Sequence, residues 1–406
     1  MKRKLVCSLD AGLGLLAAGP AQAQVSDDVV RIGVMNDMAG PYSDVTGIGS
    51  VIGAELAVED FLKESGSKLK IEVVSADHQN KADLAANLAR KWYDADGVDA
   101  IVDVPASSAG LAVNEVTRDK GKAFLAVGSG TTELSGKSCS PNTVQWLYDT
   151  WLQAHGTATS ILNQGGDSWF LLVADYAYGY SLEKQASQVV DENGGKVLGS
   201  VRVPLGTTDY SSFLLQAQAS KAKIIGLGNA GADTINSIKQ AAEFGIVQGG
   251  QSLAAFLLLL PDVHGLGLEA SQGLLTTLAF YWDLNDGTRA WAKRFVERSG
   301  GKYPTSVHAG SYSAVLNYLR AVEAAGTDDG TKVIAQLKAA PTSDPLFGEI
   351  TVRPDGRAVH DAYLMQVKKP SESQYPYDYF KVLETIPADK TAAPLEQSEC
   401  PLVKKS

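Results

Sequence analysis

Apolar residues in the first third of the chain alternate between two spacings. Short runs rich in β-branched residues predict strands, and each is followed by a stretch whose apolar residues recur at helical spacing. The predicted strands are 29–35, 70–74, 100–104 and 124–127, and the predicted helices are 46–64, 81–93 and 109–120. Strands that alternate with helices of this length indicate βαβ units around a parallel sheet.

The same alternation repeats in the middle of the chain. After a helix at 151–162, the set consists of strands 168–173, 196–203, 222–227 and 252–257 and helices 180–193 and 234–244. Gly245 follows the last helix, as is typical of helix C-termini. The remainder, 273–406, is predicted to be helix-rich, with helices at 288–298 and 307–325, and to end in turns. Because 406 residues exceed the usual size of one core, two similar α/β lobes are expected.

The N-terminus has the order of a secretory signal peptide. Met1-Lys2-Arg3-Lys4 is positively charged, 5–19 is mostly apolar, and Ala21-Gln22-Ala23 is a small-x-small cleavage site. The apolar stretch is shorter than the roughly 20 residues that span a bilayer. We therefore expect a signal peptide over 1–23, cleavage after Ala23, and export to the periplasm.

The composition narrows the classes of partner. A formal charge of −10 argues against nucleic acid and anionic membranes, although local dipoles can still bind a small anion. Cys7 lies within the signal peptide, so an oxidising compartment favours a disulfide between Cys139 and Cys400 over two buried thiols. No metal is expected, because no spacing typical of metal ligands occurs among the histidines, which are His78, His155, His264, His308 and His360.

One glycine motif is similar to a nucleotide-binding loop. Gly47-x-Gly49-x-x-x-Gly53 follows a predicted strand, and Asp77 lies at the end of the next strand, where a ribose-binding acid is expected. A dinucleotide fold needs such glycines directly after the strand, whereas here 36–46 intervenes. Glycines that permit close helix packing are the favoured interpretation, and no cofactor is expected.

Two loops at predicted strand ends offer groups that can hold a carboxylate. Ser107 and Ser108 lie between a strand and a helix, and Ser129, Gly130 and Thr131 follow the next strand. Open α/β sheets bind ligands at the carboxyl ends of their strands, and helix N-termini there supply free backbone N–H groups. The alternative is that Ser107 or Ser108 is an ordinary helix cap.

Tyrosines follow the first predicted strand of each lobe. Tyr42 lies beside Gly40-Pro41, and Tyr176, Tyr178 and Tyr180 follow the strand 168–173. A tyrosine offers a flat apolar face and one hydroxyl, which suits the wall of a small-molecule pocket. At least one tyrosine of the second cluster is expected to cover the lobe surface instead.

These features together resemble the periplasmic solute-binding proteins of the branched-chain amino acid type, which serve ABC transporters. The resemblance covers essentially the whole chain after the signal peptide. It rests on Val30-Arg31-Ile32-Gly33-Val34, Ala39-Gly40-Pro41-Tyr42, Asp77, Ser107-Ser108, Asp175-Tyr176-Ala177-Tyr178-Gly179, Asp209-Tyr210-Ser211-Ser212-Phe213 and Gln240-Ala241-Ala242-Glu243-Phe244-Gly245.

The resemblance implies an α/β fold of the Venus-flytrap type. Two Rossmann-like lobes with parallel sheets are joined by three hinge crossovers, and the ligand is clamped in the cleft between them. The implied first lobe comprises 28–147 and 280–354, and the second comprises 148–279 and 355–385. A C-terminal tail, 386–406, is expected to be tied to the first lobe.

The resemblance also implies a ligand site. By position, Ser107 matches a serine that holds the ligand carboxylate, and Ser108 lies beside it. Further carboxylate donors come from the loop of Ser129, Gly130 and Thr131, in which Gly130 replaces a threonine of the family.

Two further matches concern the walls of the cleft. Tyr42 and Tyr178 match cleft tyrosines of the family. Within Asn229-Ala230-Gly231, by contrast, Ala230 replaces another cleft tyrosine.

The departure that matters most concerns the ammonium group of an amino acid ligand. Amino acid binders place an acid after the strand that corresponds to 252–257, but here the apolar run 256–260 follows, with Leu258 at its centre and Asp262 as the nearest acid. A buried ammonium without a carboxylate partner is costly. The pocket is therefore expected to take an aromatic carboxylate of the benzoate or phenylpropanoid type. A subgroup that binds such acids shares Cys139-Ser140-Pro141-Asn142, Ser212-Phe213-Leu214-Leu215-Gln216-Ala217-Gln218 and Asn229-Ala230-Gly231.

Two classes of function are considered. In the first, an exported binding protein, expected to be a monomer without enzymatic activity, captures a small organic acid and delivers it to an inner-membrane ABC permease. A branched-chain or other amino acid, or an amide, is the alternative ligand, and a sensor role is not separable by sequence. In the second, an exported hydrolase uses Ser107 or Ser129, but neither His155 nor His308 has a sequence relation to these serines.

Overall fold

Five parallel strands form the first sheet of the computed structural model, which describes residues 25–404. They are β1 (Val29–Asn36), β2 (Lys70–Asp77), β3 (Ala100–Asp103), β4 (Ala123–Ala126) and β5 (Thr143–Gln145), in the spatial order β2-β1-β3-β4-β5. The connecting helices are α1 (Gly47–Ser65), α2 (Ala82–Asp94) and α3 (Ser107–Lys120). β3 and β4 are buried at every position, as expected for parallel strands covered on both faces. The predicted βαβ organisation is confirmed.

Four parallel strands form the second sheet. They are β6 (Ser168–Ala174), β7 (Lys196–Val203), β8 (Ile224–Gly228) and β9 (Ser252–Ala255), in the order β7-β6-β8-β9. The helices of this lobe are α4 (Thr150–Asn163), α5 (Ala177–Glu192), α6 (Ser211–Ala219), α7 (Ala232–Glu243), α8 (Leu260–Leu266) and α9 (Leu268–Ser271). The two parallel sheets confirm the predicted fold class.

The last third of the chain contributes to both lobes. It contains helices α10 (Asp286–Arg298), α11 (Ser306–Ala325) and α12 (Gly330–Ala339) and strands β10 (Leu275–Leu278), β11 (Thr342–Asp344), β12 (Gly348–Val352), β13 (Ala358–Val359), β14 (Ala362–Val367) and β15 (Phe380–Ile386). α11 packs against α1, whereas β10 contacts β9 and α4. Two small antiparallel sheets, β10-β14-β15 and β11-β12-β13, are not anticipated by the predicted helix-rich stretch. The lobe boundaries given above stay a prediction.

Close helix packing explains the glycine motif in α1. An ideal Cβ on Gly53 would lie 2.5 Å from the carbonyl oxygen of His308 in α11, and one on Gly49 would lie 2.4 Å from the His308 Nε2 atom. Any larger residue would push α1 and α11 apart. The packing interpretation is therefore confirmed for Gly49 and Gly53, whereas Gly47 begins α1 with φ +46° and makes no close contact with another helix.

A disulfide joins Cys139 to Cys400, with 5.6 Å between the two Cα atoms, as predicted. It holds the C-terminal tail against the loop between β4 and β5. Among residues 25–404, no helix combines the length and apolar character needed to cross a membrane. The predicted signal peptide and its cleavage after Ala23 lie outside the described residues.

Candidate functional site

A cavity of about 20 Å³ lies between the two lobes, at the carboxyl ends of the parallel strands. This edge is where open α/β sheets bind ligands. We call it the inner cavity, and its walls are Tyr42, Val45, Thr46, Pro105, Gly128, Tyr148, Tyr176, Tyr178, Ala230, Leu257, Leu259 and Val307. The set contains residues of both lobes and no charged side chain.

Four tyrosines dominate the inner cavity. The hydroxyls of Tyr42 and Tyr176, from opposite lobes, hydrogen bond at 2.6 Å, and Tyr178 donates to Gln153 Oε1 at 2.9 Å. Burial raises the pKa of all four phenols, including Tyr148, far above the physiological range. The walls therefore present aromatic faces and neutral hydroxyls.

Four helices begin at this cavity. α1 starts just after Thr46, α3 after Pro105, α5 beside Tyr176 and Tyr178, and α7 after Ala230. None of the four N-termini has a side-chain cap hydrogen bond. Because a helix N-terminus carries about half a positive charge, the four together favour an anion in the cleft.

Several hydrogen bonds cross the cleft and hold the lobes closed. The Ala232 N–H donates to the Pro41 carbonyl at 3.1 Å, and the Ala177 N–H donates to Ser108 Oγ at 3.4 Å. Thr132 pairs with Ser181 through its N–H at 3.2 Å and through its hydroxyl at 3.1 Å. The first amides of α5 and α7 are thus engaged in lobe closure, unlike those of α3.

The predicted carboxylate loops lie behind the inner cavity. Ser107 is buried as the first residue of α3, and its Oγ accepts the Thr131 N–H at 3.2 Å. Ser129 donates its hydroxyl to the Val104 carbonyl, and Thr131 Oγ1 accepts the Glu133 N–H at 3.3 Å. These side chains are close together, but none of them lines the cavity in this closed form.

Gly130 lies against two of the cavity tyrosines. An ideal Cβ at this position would be 3.1 Å from the Tyr178 ring and 3.3 Å from the Tyr148 ring. A threonine, which the resemblance places here, would displace both rings. The glycine therefore belongs with the tyrosine walls.

The segments near Asn229 and Leu258 are placed differently from one another. Ala230 lines the cavity, whereas Asn229 is turned into α7 and donates to the Asp233 carbonyl and to Ser237 Oγ, at 3.2 Å each. Leu258 is buried outside the cavity, and its two neighbours, Leu257 and Leu259, form the apolar wall.

Several wall residues are absent from the predicted site. Tyr148 follows the three-residue strand β5, which is too short to give a pattern, and Val307 belongs to α11, far along the chain. Tyr176 could have been found, because it lies two residues before Tyr178 in a tyrosine cluster at a strand end.

Asp262 is engaged within its own helix. Its Oδ2 accepts the Leu259 N–H at 2.8 Å, which caps α8, and burial raises its pKa to about 7. It does not line the inner cavity. The nearest acid to the apolar run is therefore not presented to a ligand in this closed form.

Another buried carboxyl group lies beneath the cavity floor. Asp103 ends β3 with φ +80°, and its Oδ2 accepts a hydrogen bond from Asn36 Nδ2 at 3.3 Å. An ideal Cβ on the wall residue Gly128 would lie 2.9 Å from Asp103 Oδ1. Burial raises the pKa of Asp103 to about 7.

The substitution Asp103→Asn is expected to change how stability depends on pH. Asparagine tolerates a positive φ, so the backbone is kept. Between about pH 4 and pH 7 the folded wild type holds a proton that the unfolded chain has lost, so its stability falls as pH rises through this window. A shift of one pKa unit corresponds to roughly 1.36 kcal/mol. The difference in unfolding free energy, Asp103→Asn minus wild type, should therefore rise by up to about 4 kcal/mol between pH 4 and pH 8.

Urea unfolding at both pH values measures this difference. The exposed Asp191, exchanged for Asn, is the control and should show little change. A difference between Asp103→Asn and the wild type that stays constant with pH would contradict the prediction.

Comparison with known proteins adds to this geometry. The family described as "Periplasmic binding protein" matches residues 29–373. A solved periplasmic binding protein from Burkholderia mallei is 47% identical, with a TM-score of 0.90 over 93% of this chain and 100% of its own. A branched chain amino acid ABC transporter periplasmic ligand-binding protein from Burkholderia xenovorans LB400 is 39% identical, with a TM-score of 0.80 over 92% of this chain and 100% of its own.

Two more distant matches extend the picture. The Leu/Ile/Val-binding protein homolog 6 of Brucella melitensis is 25% identical, over 91% of this chain and 94% of its own. A solute binding protein of an ABC transporter from R. palustris, solved in complex with benzoate, has a TM-score of 0.79 at 19% identity, over 92% of this chain and 99% of its own. At that identity the likeness shows a shared fold alone.

Proposed function

Since the chain belongs to the periplasmic binding protein family, whose members are exported solute-binding proteins of ABC transporters, we propose that it captures a small aromatic carboxylate in the inner cavity. The observation that carries the proposal is the combination of uncapped helix N-termini with neutral tyrosine walls. The N-termini favour a negative charge, and the walls favour a flat ring. Delivery to an inner-membrane permease follows from the family.

The carboxylate is proposed to bind at the start of α3. The backbone N–H groups of Ser107 and Ser108 have no side-chain cap, and the Ser107 Oγ accepts a bond from Thr131 while its hydroxyl hydrogen remains available. A ligand carboxylate here would receive the hydroxyl and the amides together. The loop of Gly130 and Thr131 closes the same end.

The ring is proposed to lie between tyrosines of both lobes. Tyr42 reaches from the first lobe and Tyr176 and Tyr178 from the second, and the apolar side chains of Leu257 and Leu259 close the remaining wall. The inner cavity of about 20 Å³ holds little more than one water molecule, so the tyrosine walls must move apart as the lobes open before a ring can enter. Ring contacts with tyrosines add about 0.5–1.5 kcal/mol beyond burial.

An amino acid is the alternative ligand, and it is supported by the similarity to the branched chain amino acid transporter protein of Burkholderia xenovorans and the Leu/Ile/Val-binding protein homolog of Brucella. Its ammonium group would need a carboxylate or several acceptors inside the cavity. The walls of the inner cavity contain no acid, and Asp262 caps α8 instead. Desolvation of an unpaired ammonium costs several kcal/mol, so this pocket favours the aromatic acid.

A ligand panel tests the proposal. Benzoate, 4-hydroxybenzoate and cinnamate are expected to raise the melting temperature, and leucine, isoleucine and valine are expected to have far smaller effects. A hydrolase that uses Ser107 or Ser129 would cleave an ester of these acids, so ethyl benzoate that is recovered intact after incubation with the protein would separate a binding protein from the hydrolase. Stabilisation by leucine with no response to any aromatic acid would refute the ligand class.

The substitution Ser107→Ala is expected to weaken the binding of the aromatic acid by about 10- to 100-fold. It removes one hydrogen bond to a charged acceptor, which contributes on the order of 1.5–3 kcal/mol. Ser211→Ala is the matched control, because Ser211 is also the first residue of its helix, α6, and does not line the inner cavity. Calorimetric affinities that are equal for the wild type and Ser107→Ala would place the carboxylate elsewhere.

A further inference from the structure

A second and larger cavity lies between the lobes directly outside the inner one. Its volume is about 400 Å³, and Thr46 lines both cavities. We call it the outer cavity, and its lining includes Thr46, Ile48, Ile235, Leu260, Tyr303 and Tyr377. The two cavities are separated by a single layer of residues.

In two segments of this layer, one residue lines the inner cavity and the next residue lines the outer cavity. Leu259 lines the inner cavity and Leu260 the outer one, and likewise Val307 lines the inner cavity and His308 the outer one. A ligand that is longer than one ring would reach the outer cavity if this layer parts at Thr46, the residue that lines both cavities.

The chemistry of the outer cavity is apolar and aromatic. The Tyr377 ring stacks on two neighbours, with 4.5 Å between its centroid and that of Tyr303 and 4.7 Å between its centroid and that of His264. Ile48 lies at the start of α1, is 61% exposed, and adds an apolar side chain to the lining. These surfaces offer contact area to a second ring.

The outer cavity offers no unpaired cation to an acid. Lys302 is the single lysine or arginine in its lining, and its Nζ pairs with Asp44 Oδ1 at 3.0 Å. Burial lowers the pKa of His308 to about 4, so this imidazole is neutral. An anionic group is therefore favoured at the helix N-termini of the inner cavity, and the apolar end of the same ligand points outward.

We propose that the outer cavity is a second subsite of the cleft, which holds the distal aryl or apolar group of an elongated aromatic carboxylate. The inference rests on the proposed function, because it uses the carboxylate end as the fixed point. It adds that the preferred ligand has two parts. The single ring of benzoate would occupy only the space that opens between the tyrosine walls.

Biphenyl-4-carboxylate and benzoate are the probes that test the proposal. Calorimetry with the wild-type protein is expected to give an affinity about 10- to 100-fold higher for biphenyl-4-carboxylate, the gain expected from burying a ring-sized apolar group. The substitution Ile235→Trp fills the outer cavity from α7. It is expected to reduce this preference to within about 3-fold, with little change for benzoate.

Two further variants support the interpretation. Ile48→Trp fills the same space from an exposed position, so folding is retained even if the half-buried Ile235→Trp is unstable. Leu215→Trp on α6 adds the same side chain at an exposed site away from both cavities and should leave both affinities unchanged.

Each outcome decides between the proposals. Equal affinities for the two probes, or equal losses for both in Ile235→Trp and Ile48→Trp, would overturn the second subsite and leave the proposed function intact. Binding of neither probe, with leucine bound, would overturn the aromatic ligand class and the second subsite together.

Discussion

Replacing Gly231 by alanine is expected to lower ligand affinity by about 100-fold. Gly231 precedes α7 with φ +57°, and an ideal Cβ there would lie 2.4 Å from the carbonyl oxygen of Pro41 in the opposite lobe. That oxygen also accepts the Ala232 N–H across the cleft. The added methyl group therefore acts against the closed form itself.

The magnitude follows from what closure would lose. Overpacking against backbone costs about 1–3 kcal/mol, and loss of the Ala232 hydrogen bond costs about 0.5–1.5 kcal/mol. Together these terms destabilise the closed form by about 3 kcal/mol relative to the open form. This lowers the apparent affinity by about 100-fold, because part of the binding free energy is then used to close the lobes.

Gly267 supplies the matched control. It precedes α9 with φ +78°, and nothing lies within 4 Å of its ideal Cβ, so Gly267→Ala introduces backbone strain without a contact across the cleft. Both variants are expected to lose stability, but only Gly231→Ala is expected to lose affinity for the aromatic acid. Small-angle scattering with saturating ligand should show a more open Gly231→Ala. Wild-type affinity in that variant would contradict the role of this contact in closure.

The alternating strands and helices of the two lobes were predictable because the spacing of apolar residues within each segment indicates its secondary structure. The strand 196–203 is predicted to the residue, and α1 differs from its prediction by one residue at each end. The strands β14 and β15 were missed because they form a small antiparallel sheet at the edge, where the short runs are interrupted by turns. Tertiary context, rather than local pattern, makes them strands.

Site residues that lie directly after a strand were predictable from the sequence. Those whose place in the site depends on the direction of the side chain were not. Tyr42 and Tyr178 come after the first strands of the two lobes, so their position alone places them at the cleft. Whether Leu258 or its neighbours face the ligand depends on the backbone turn before α8, which the apolar run does not reveal. Tyr148 comes from the first connection between the lobes and has no pattern at all.

Some helix N-termini stabilise the closed form, and another is available to bind an anion. The first amides of α5 and α7 donate across the cleft, to Ser108 and to Pro41, so they stabilise the closed form. The first amides of α3 lack a side-chain cap and remain available to an anion. Ligand binding and lobe closure therefore draw on the same kind of group without competing for the same atoms.

A buried ion pair stabilises the connection between the lobes. Arg357 is 1% exposed, and its Nε lies 3.4 Å from Asp149 Oδ2. Its guanidinium also donates to the carbonyls of Gln145 and Leu147, at 3.2 and 3.5 Å, which fixes the segment between β5 and α4 against the start of β13. Burial lowers the pKa of this arginine, and the Asp149 carboxylate acts in the opposite direction.

The substitution Asp149→Asn is expected to lower the free energy of unfolding by about 3–5 kcal/mol. Removal of one partner leaves an uncompensated buried charge, and this is the costly half of a buried ion pair. Asp149 Oδ1 also accepts the Leu152 N–H at 2.8 Å and caps α4, but asparagine caps equally well, so the change isolates the charge.

A double-mutant cycle separates the pair from its surroundings. Adding Arg357→Met to Asp149→Asn replaces the uncompensated buried charge with an apolar side chain of similar length, and a large part of the lost stability should return. Urea unfolding followed by tryptophan fluorescence measures all four proteins. If Asp149→Asn stays within about 1 kcal/mol of the wild type, Arg357 is compensated by other groups, of which Asp355 is the nearest candidate because its charge also raises the pKa of Arg357.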